Sequence, residues 1–278
     1  MFRHTLRPTN RAPAPPTATT PPPETFHPTP LDIIITSRLL QTLLPPELVL
    51  PVLHFASYYP VLQTHMPYPH SISSSSGRTK NHVGCQAVLI TPPIPSWAKS
   101  VLSVRWRIKS NDQGWSSEPA ENKGTYRCSW TWFDAEILRG EGECRMEEMW
   151  RGEEAKGMVN VTDPEVGWPG EGWRQVRRPA EGEEEEGRCW LVQRNRNTAK
   201  DPEDHVVEWR AGEKPEVSEE DAGDRTADLG TGSGTGDGFL EELRPGDRLV
   251  LLAHALYPGW TNKVHNAEVQ LEFSTEEL

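Results

Sequence analysis

Apolar residues recur with two different periods along this chain. Between residues 31 and 65 the spacing is helical. The stretch LDIIITSRLLQTLL at 31–44 is apolar with a polar break at 36–38. Pro45 and Pro46 then open a second run, in which Leu48, Val52, Phe55 and Tyr59 fall at i, i+4, i+7 and i+11. That is one face of a helix, started by prolines that the first helical turn tolerates. It is interrupted at Pro51 and ends near Pro60. From His82 onward the period is two. Leu102, Val104, Trp106 and Ile108 alternate with Ser103, Arg105, Arg107 and Lys109, a half-buried strand with a cationic outer face. Val83, Cys85, Ala87 and Leu89 alternate in the same way. Residues 126–133, rich in aromatic and β-branched side chains, predict another strand, as do 189–195 and 205–210. Residues 249–256 are almost continuously apolar, the pattern of a strand buried on both faces. Ala267, Val269, Leu271 and Phe273 alternate with Glu268, Gln270 and Glu272 at the end. At least seven strands without helices between them predict a mainly β protein: an antiparallel β-sandwich of jelly-roll type with a short N-terminal helical element. A parallel sheet would need crossover helices that the pattern does not contain.

Composition divides the chain further. Residues 1–30 hold nine prolines, which predicts a disordered, extended tail. Arginines with no acid before Glu24 also allow a mitochondrial presequence, but the prolines from Pro8 onward oppose the amphipathic helix it requires. The helical segment covers 31–65, a polar linker 66–81, and the sandwich domain 82–278. The formal net charge of −12 is uneven. Residues 134–187 carry 16 acidic and 7 basic residues, and residues 201–228 carry 11 and 3, so the remainder is mildly cationic. Two acidic insertions are therefore expected, near 139–187 and 211–238. The GTGSGTGDG run at 230–238 reads as a linker, and the four glutamates at 183–186 repel one another. Eleven tryptophans are unusual. Trp150, Trp168 and Trp173 stand inside the first insertion, so that part of it is expected to pack on the sandwich.

Several function classes drop out. No stretch of about twenty apolar residues exists to span a membrane, and no apolar signal segment opens the chain. Cys85, Cys128, Cys144 and Cys189 are widely spaced, which favours reduced thiols over zinc or a disulfide scaffold. These features point to the cytoplasm or nucleus and to no metal and no cofactor. No nucleophile elbow, P-loop, zincin or dinucleotide motif is present. Arg105, Arg107 and Lys109 beside tryptophans could line a nucleic-acid groove, but the acidic balance favours a solvated strand face.

Candidate chemistry lies in four turn-like motifs: DQGW at 112–115, WTWF at 130–133, QRN at 193–195 and YPGW at 257–260, the last followed by Asn262. Asp112 with Gly114, and Pro258 with Gly259, are turn formers. If Asp112, Gln113, Trp115, Gln193, Arg194, Asn195, His205, Tyr257, Trp260 and Asn262 share one end of the sandwich, they form an aromatic floor with polar fingers. Such a floor suits a small ligand or a sugar, whose C–H faces stack on aromatic rings. The bland alternative is that aromatics cap the sandwich and polar groups hold the turns. A hydrolase would require Asp112, His205 and His254 to face one cleft.

These motifs, in this order, resemble those of a group of uncharacterised fungal proteins with a β-rich domain. The resemblance covers roughly the C-terminal two thirds and implies a shared domain but no activity. The segment from Leu44 to Phe55 resembles the opening of an F-box through Leu44, Pro45, Glu47, Leu48 and Leu53. Pro51 departs from that pattern, and no later F-box helices follow. An F-box would imply a ubiquitin-ligase adaptor that binds a Skp1-type partner through 44–60, with Leu44, Glu47, Leu48, Val52 and Phe55 as contacts and the sandwich selecting substrates. The favoured expectation is a non-enzymatic binding protein for an unknown protein or small ligand, with the F-box-like adaptor and a carbohydrate-binding module as alternatives.

Overall fold

The structure, a computed structural model, describes residues 27–74, 83–98, 100–140, 173–176, 189–213 and 230–274. The Pro-rich tail, most of both acidic insertions, Cys144, Trp150 and Trp168 lie outside these residues. Two helices come first, α1 (Pro30–Gln41) and α2 (Pro46–Phe55). Among the described residues ten strands follow: β1 (Val61–His65), β2 (His70–Ser73), β3 (Val83–Ile90), β4 (Val101–Asn111), β5 (Thr131–Gly140), β6 (Trp173–Val176), β7 (Trp190–Arg194), β8 (Glu203–Arg210), β9 (Arg248–Leu256) and β10 (Thr261–Phe273). A short helix, α3 (Phe239–Glu242), precedes β9.

All strand pairs are antiparallel and form two sheets packed face to face. In the first sheet β1 and β2 lie end to end along one side of β10, followed by β4 and β8. In the second, the order is β3, β9, β5, with β6 and β7 end to end along the far side of β5. Counting each end-to-end pair as one position, the chain visits the two sheets in the order of a jelly roll. The expected fold is thus the observed one. The middle of the inter-sheet space is apolar: Val104, Trp106, Ile108, Val269 and Leu271 of the first sheet meet Phe133, Ala135, Ile137, Leu251 and Ala253 of the second. As its apolar run predicts, β9 is buried on both faces, with Leu249 and Leu251 inward and Val250 and Leu252 outward.

Three boundaries differ from expectation. Residues 61–65 and 70–73, assigned to the helical segment and the linker, are strands β1 and β2 of the sandwich. Their burial comes from pairing with β10, a contact that their polar sequence does not announce. Strand β5 begins at Thr131 rather than Tyr126, because Cys128 takes φ 50° and bends the chain first. The glycine run at 230–238 is not a free linker. Arg194 N–H donates to Gly232 O at 2.8 Å and Gly234 N–H to Val192 O at 3.0 Å, so the run pairs with the outer edge of β7. A Cβ on Gly234 would overlap Leu191 O, and one on Gly236 would overlap the Trp209 ring. The glycines are there for close approach.

That glycine strip closes the flank of the sandwich between β7 and β8. Phe239 sits under it at the centre of a tryptophan cluster, edge-on to Trp190 at 5.0 Å and Trp209 at 4.9 Å, with Trp106 beyond. Trp190 Nε1 donates to Asp237 O and Trp209 Nε1 to Gly234 O, so two of the three indoles satisfy their N–H while burying their rings. The cationic face of β4 is neutralised by its neighbours. Arg105 binds Glu208 through two hydrogen bonds, and Arg107 and Lys109 lie 3.9 Å from Glu268 and Asp204. Of the three insertion tryptophans, Trp173 is described, and it packs on the outer apolar face of the second sheet.

Helices α1 and α2 form a hairpin with its own small core of Ile33, Val49 and Leu53. The face that α2 turns inward is Val49 and Leu53. Leu48, Val52 and Phe55 point to solvent, Phe55 being 89% exposed. Tyr59 is buried beyond the helix, where its hydroxyl meets the His54 ring.

Candidate functional site

The four motifs converge at one end of the sandwich. Their polar residues are mostly spent on holding that end together. Asn195, just past β7, is fully buried. Its amide donates to Thr131 Oγ1 at 3.0 Å and to Asn262 Oδ1 at 3.0 Å, and its oxygen accepts from Ser110 Oγ at 2.6 Å. Asn262, on β10 and also fully buried, donates to Trp132 O and His254 O. Ser110 and Asn262 belong to the first sheet, Thr131, Trp132 and His254 to the second. The two asparagines therefore form a hydrogen-bonded clasp across the sheets. Buried side-chain polar groups of this kind are tolerated only when paired, and an asparagine can both donate and accept across the gap.

A second layer builds the DQGW loop. The buried Asp112 carboxylate accepts from Gly114 N–H at 2.7 Å and Thr198 N–H at 2.6 Å. Burial raises its pKa, and those two amide bonds oppose the rise. The Gln113 side chain donates to Trp115 O and accepts from Thr261 N–H at 3.1 Å. The loop is thus tied both to the turn after β7 and to the start of β10.

What this scaffold presents is aromatic. Trp115 is 62% exposed and Tyr257 46% exposed. A Cβ on Gly259 would stand 3.4 Å from the Trp115 ring, so the tryptophan lies against the YPGW turn. Trp130 stands edge-on to Tyr257 with centroids 5.0 Å apart and donates its indole N–H to Glu118 at 3.0 Å. Tyr257 holds φ 69°, the left-handed region that L-residues seldom adopt. Such a cost at an exposed aromatic marks a position whose side-chain placement matters.

Among the ten candidate residues, Trp115 and Tyr257 are the exposed ones. Asp112, Gln193, Asn195, His205, Trp260 and Asn262 are buried, and Gln113 and Arg194 are half-buried. The polar members are therefore not fingers reaching for a ligand, as the sequence reading expected, but the frame beneath the rim. Gln193 donates to Arg194 O and Thr231 O. His205 faces between the sheets against Tyr126, with no hydrogen-bond partner on Nε2 among the described residues. Burial, reinforced by Arg196, lowers its pKa to about 4. Trp130, which completes the rim, belongs to the WTWF motif but stands outside the ten candidate residues.

The hydrolase geometry does not form. Asp112 is locked by amides, His205 lies between the sheets, and His254 lies on the outer face of the second sheet. There the register lines up Cys85, His254, Trp132 and Arg194 across four strands. The Trp132 ring stacks on His254 at 4.8 Å, 4° from parallel. His254 Nε2 meets Asp134 Oδ2 at 3.2 Å and Cys85 Sγ at 3.8 Å. One ring nitrogen faces both the acid and the thiol, while Nδ1 is buried without a partner among the described residues. A nucleophile–base–acid relay needs both ring nitrogens. Burial pushes the Asp134 and Cys85 pKa values up and the His254 pKa down, favouring a neutral cluster. No group of three or more metal-ligating side chains is positioned for a metal ion among the described residues. No helix is long and apolar enough to cross a membrane among them either. Scans against family models, curated proteins and solved structures return no match.

Proposed function

We propose that this chain is a non-enzymatic binding protein whose jelly roll presents the Trp115–Tyr257–Trp130 rim to a carbohydrate ligand. The observation that carries the reading is the division of labour at the motif end. Buried Asn195, Asn262 and Asp112 fix the backbone, while the two large aromatics of the same loops stay in solvent. Exposed, rigidly mounted aromatic faces are what sugar C–H surfaces stack on. The same division extends, under this proposal, to the fungal proteins that the four motifs resemble. A glycan array probed with the full chain tests it. A defined set of hits is expected, lost in the Trp115→Ala, Tyr257→Ala double variant. A silent array with folded protein, or hits that survive the double substitution, would falsify the reading.

A second reading has its own observation. The α1–α2 hairpin exposes Leu48, Val52 and Phe55 together with Leu31, Leu39 and Leu43, and large apolar side chains clustered in solvent mark interaction surfaces. This supports an F-box-like adaptor that docks a Skp1-type partner through 44–60, with the sandwich as receptor. Capture of that partner by the full chain, abolished by Phe55→Glu, is expected on this reading. Absence of capture overturns it.

A further inference from the structure

The two flanks of the jelly roll beside the glycine strip are treated differently. The outer edge of β7 is occupied by residues 232–234. The outer edge of β8 has no partner strand among the described residues. Its hydrogen-bonding phase follows from the ladder. Ala211 N–H donates to Leu102 O at 2.9 Å, in register with the pairing of Arg210 opposite Ser103. Antiparallel ladders alternate every residue. The odd residues of β8 therefore bond β4, while Asp204, Val206 and Glu208 aim their N–H and C=O groups at the open edge; Arg210 turns its N–H there, its carbonyl accepting from Glu213 N–H at 3.2 Å. Beside this edge runs a groove of about 660 Å³, walled by β8 on one side and by residues 233–241 on the other. Gly234, Gly236 and Gly238 lie along its far wall and keep that wall low. Val206 is 64% exposed at the rim.

Charge selects what fits. Of the acids lining the groove, Glu208 is matched by Arg105 and Arg210. Glu213, Asp237 and Glu241 have no cation partner among the described residues. A strand laid along β8 would gain main-chain hydrogen bonds from the open edge, and its basic side chains would meet these three carboxylates. We infer that the β8 edge is a docking site for an extended basic peptide segment, taken up by strand addition and separate from the aromatic rim. Strand addition draws affinity from main-chain bonds and specificity from the flanking side chains, which matches this division between edge and groove.

The test uses the full chain and two fluorescent octapeptides of alternating sequence, one with Lys and Val, the other with Glu and Val. Hydrogen exchange by NMR is read at the β8 amides. The account expects the amides of Val206, Glu208 and Arg210 to exchange fast in the free protein and to be protected by the Lys peptide, while the Glu peptide has no effect. Val206→Pro removes an N–H that faces the open edge and leaves the β4 ladder intact. It should weaken Lys-peptide binding roughly tenfold or more, as loss of a main-chain bond plus ring obstruction does. The E213K/D237K/E241K variant should lose Lys-peptide binding and acquire Glu-peptide binding. Lys-peptide affinity unchanged by Val206→Pro, equal binding of the two peptides, or no protection at Val206 and Glu208 with saturating Lys peptide, each overturns the inference. Rim variants such as Trp115→Ala leave this readout untouched.

Discussion

Replacing Asn195 by alanine removes the centre of the inter-sheet clasp. The substitution deletes the acceptor of Ser110 Oγ and the donor to both Thr131 Oγ1 and Asn262 Oδ1. All four residues are fully buried, so water does not readily take the vacated places. Two groups are left without recourse: the Asn262 oxygen, which can only accept, and the Ser110 hydroxyl, held on β4. Each buried orphan costs about 1–3 kcal/mol. The expected loss is therefore about 2–6 kcal/mol, a large share of the roughly 5–15 kcal/mol that holds a typical domain. Urea unfolding followed by tryptophan fluorescence reads it. With an m-value of about 2 kcal/mol/M the midpoint should fall by about 2 M at unchanged slope. Thr261→Ala, which removes an exposed hydrogen bond to Ser73, should cost under about 1 kcal/mol. If Asn195→Ala costs no more than Thr261→Ala, the asparagines do not hold this end together and the frame beneath the rim is misassigned.

Three further outcomes follow from the same geometry. Tyr257→Gly relieves a left-handed φ of 69°, so thermal unfolding should rise or hold level, by up to about 1 kcal/mol, while glycan binding falls; a clear loss of stability contradicts the strain argument. Gly236→Ala places a Cβ into the Trp209 ring at φ 69° and should cost about 2–4 kcal/mol; a neutral result by urea unfolding would return the glycine run to linker status. His205 has its pKa lowered to about 4 by burial, against an unfolded value of about 6.5. The neutral ring is the folded form, so its stability is fully present above pH 6.5 and is lost as pH falls toward 4. The loss amounts to about 3 kcal/mol, and His205→Phe should remove that part of the acid sensitivity in a pH series of urea midpoints.

The sandwich was legible because β4, β9 and β10 carry long, unambiguous patterns, and their alternation survives pairing. Strands β1 and β2 were not, because VLQTH and HSIS are short and polar, and only the ladder with β10 buries His70 and Ile72. The glycine run misled for a physical reason: absence of a Cβ serves flexibility and close packing equally, and the choice depends on Trp209 and Leu191, far away in sequence. The motifs announced a shared end, but not the roles within it. Whether Asn195 faces solvent or Asn262 depends on the register of β5 against β7 and β9. The same register, invisible in the sequence, sets Cys85, His254 and Trp132 in one row. Trp115 and Tyr257 look no different in sequence from the buried Trp260.

The central claim is that buried motif residues build the end of the jelly roll and exposed ones bind. Its most direct test is a glycan-array hit titrated calorimetrically against wild type, Trp115→Ala and Tyr257→Ala, with urea midpoints recorded on the same samples. The account predicts at least roughly tenfold weaker binding for each variant, with Trp115→Ala shifting stability by less than about 0.5 kcal/mol. Binding unchanged in both variants, or lost only in proportion to unfolding, would contradict it.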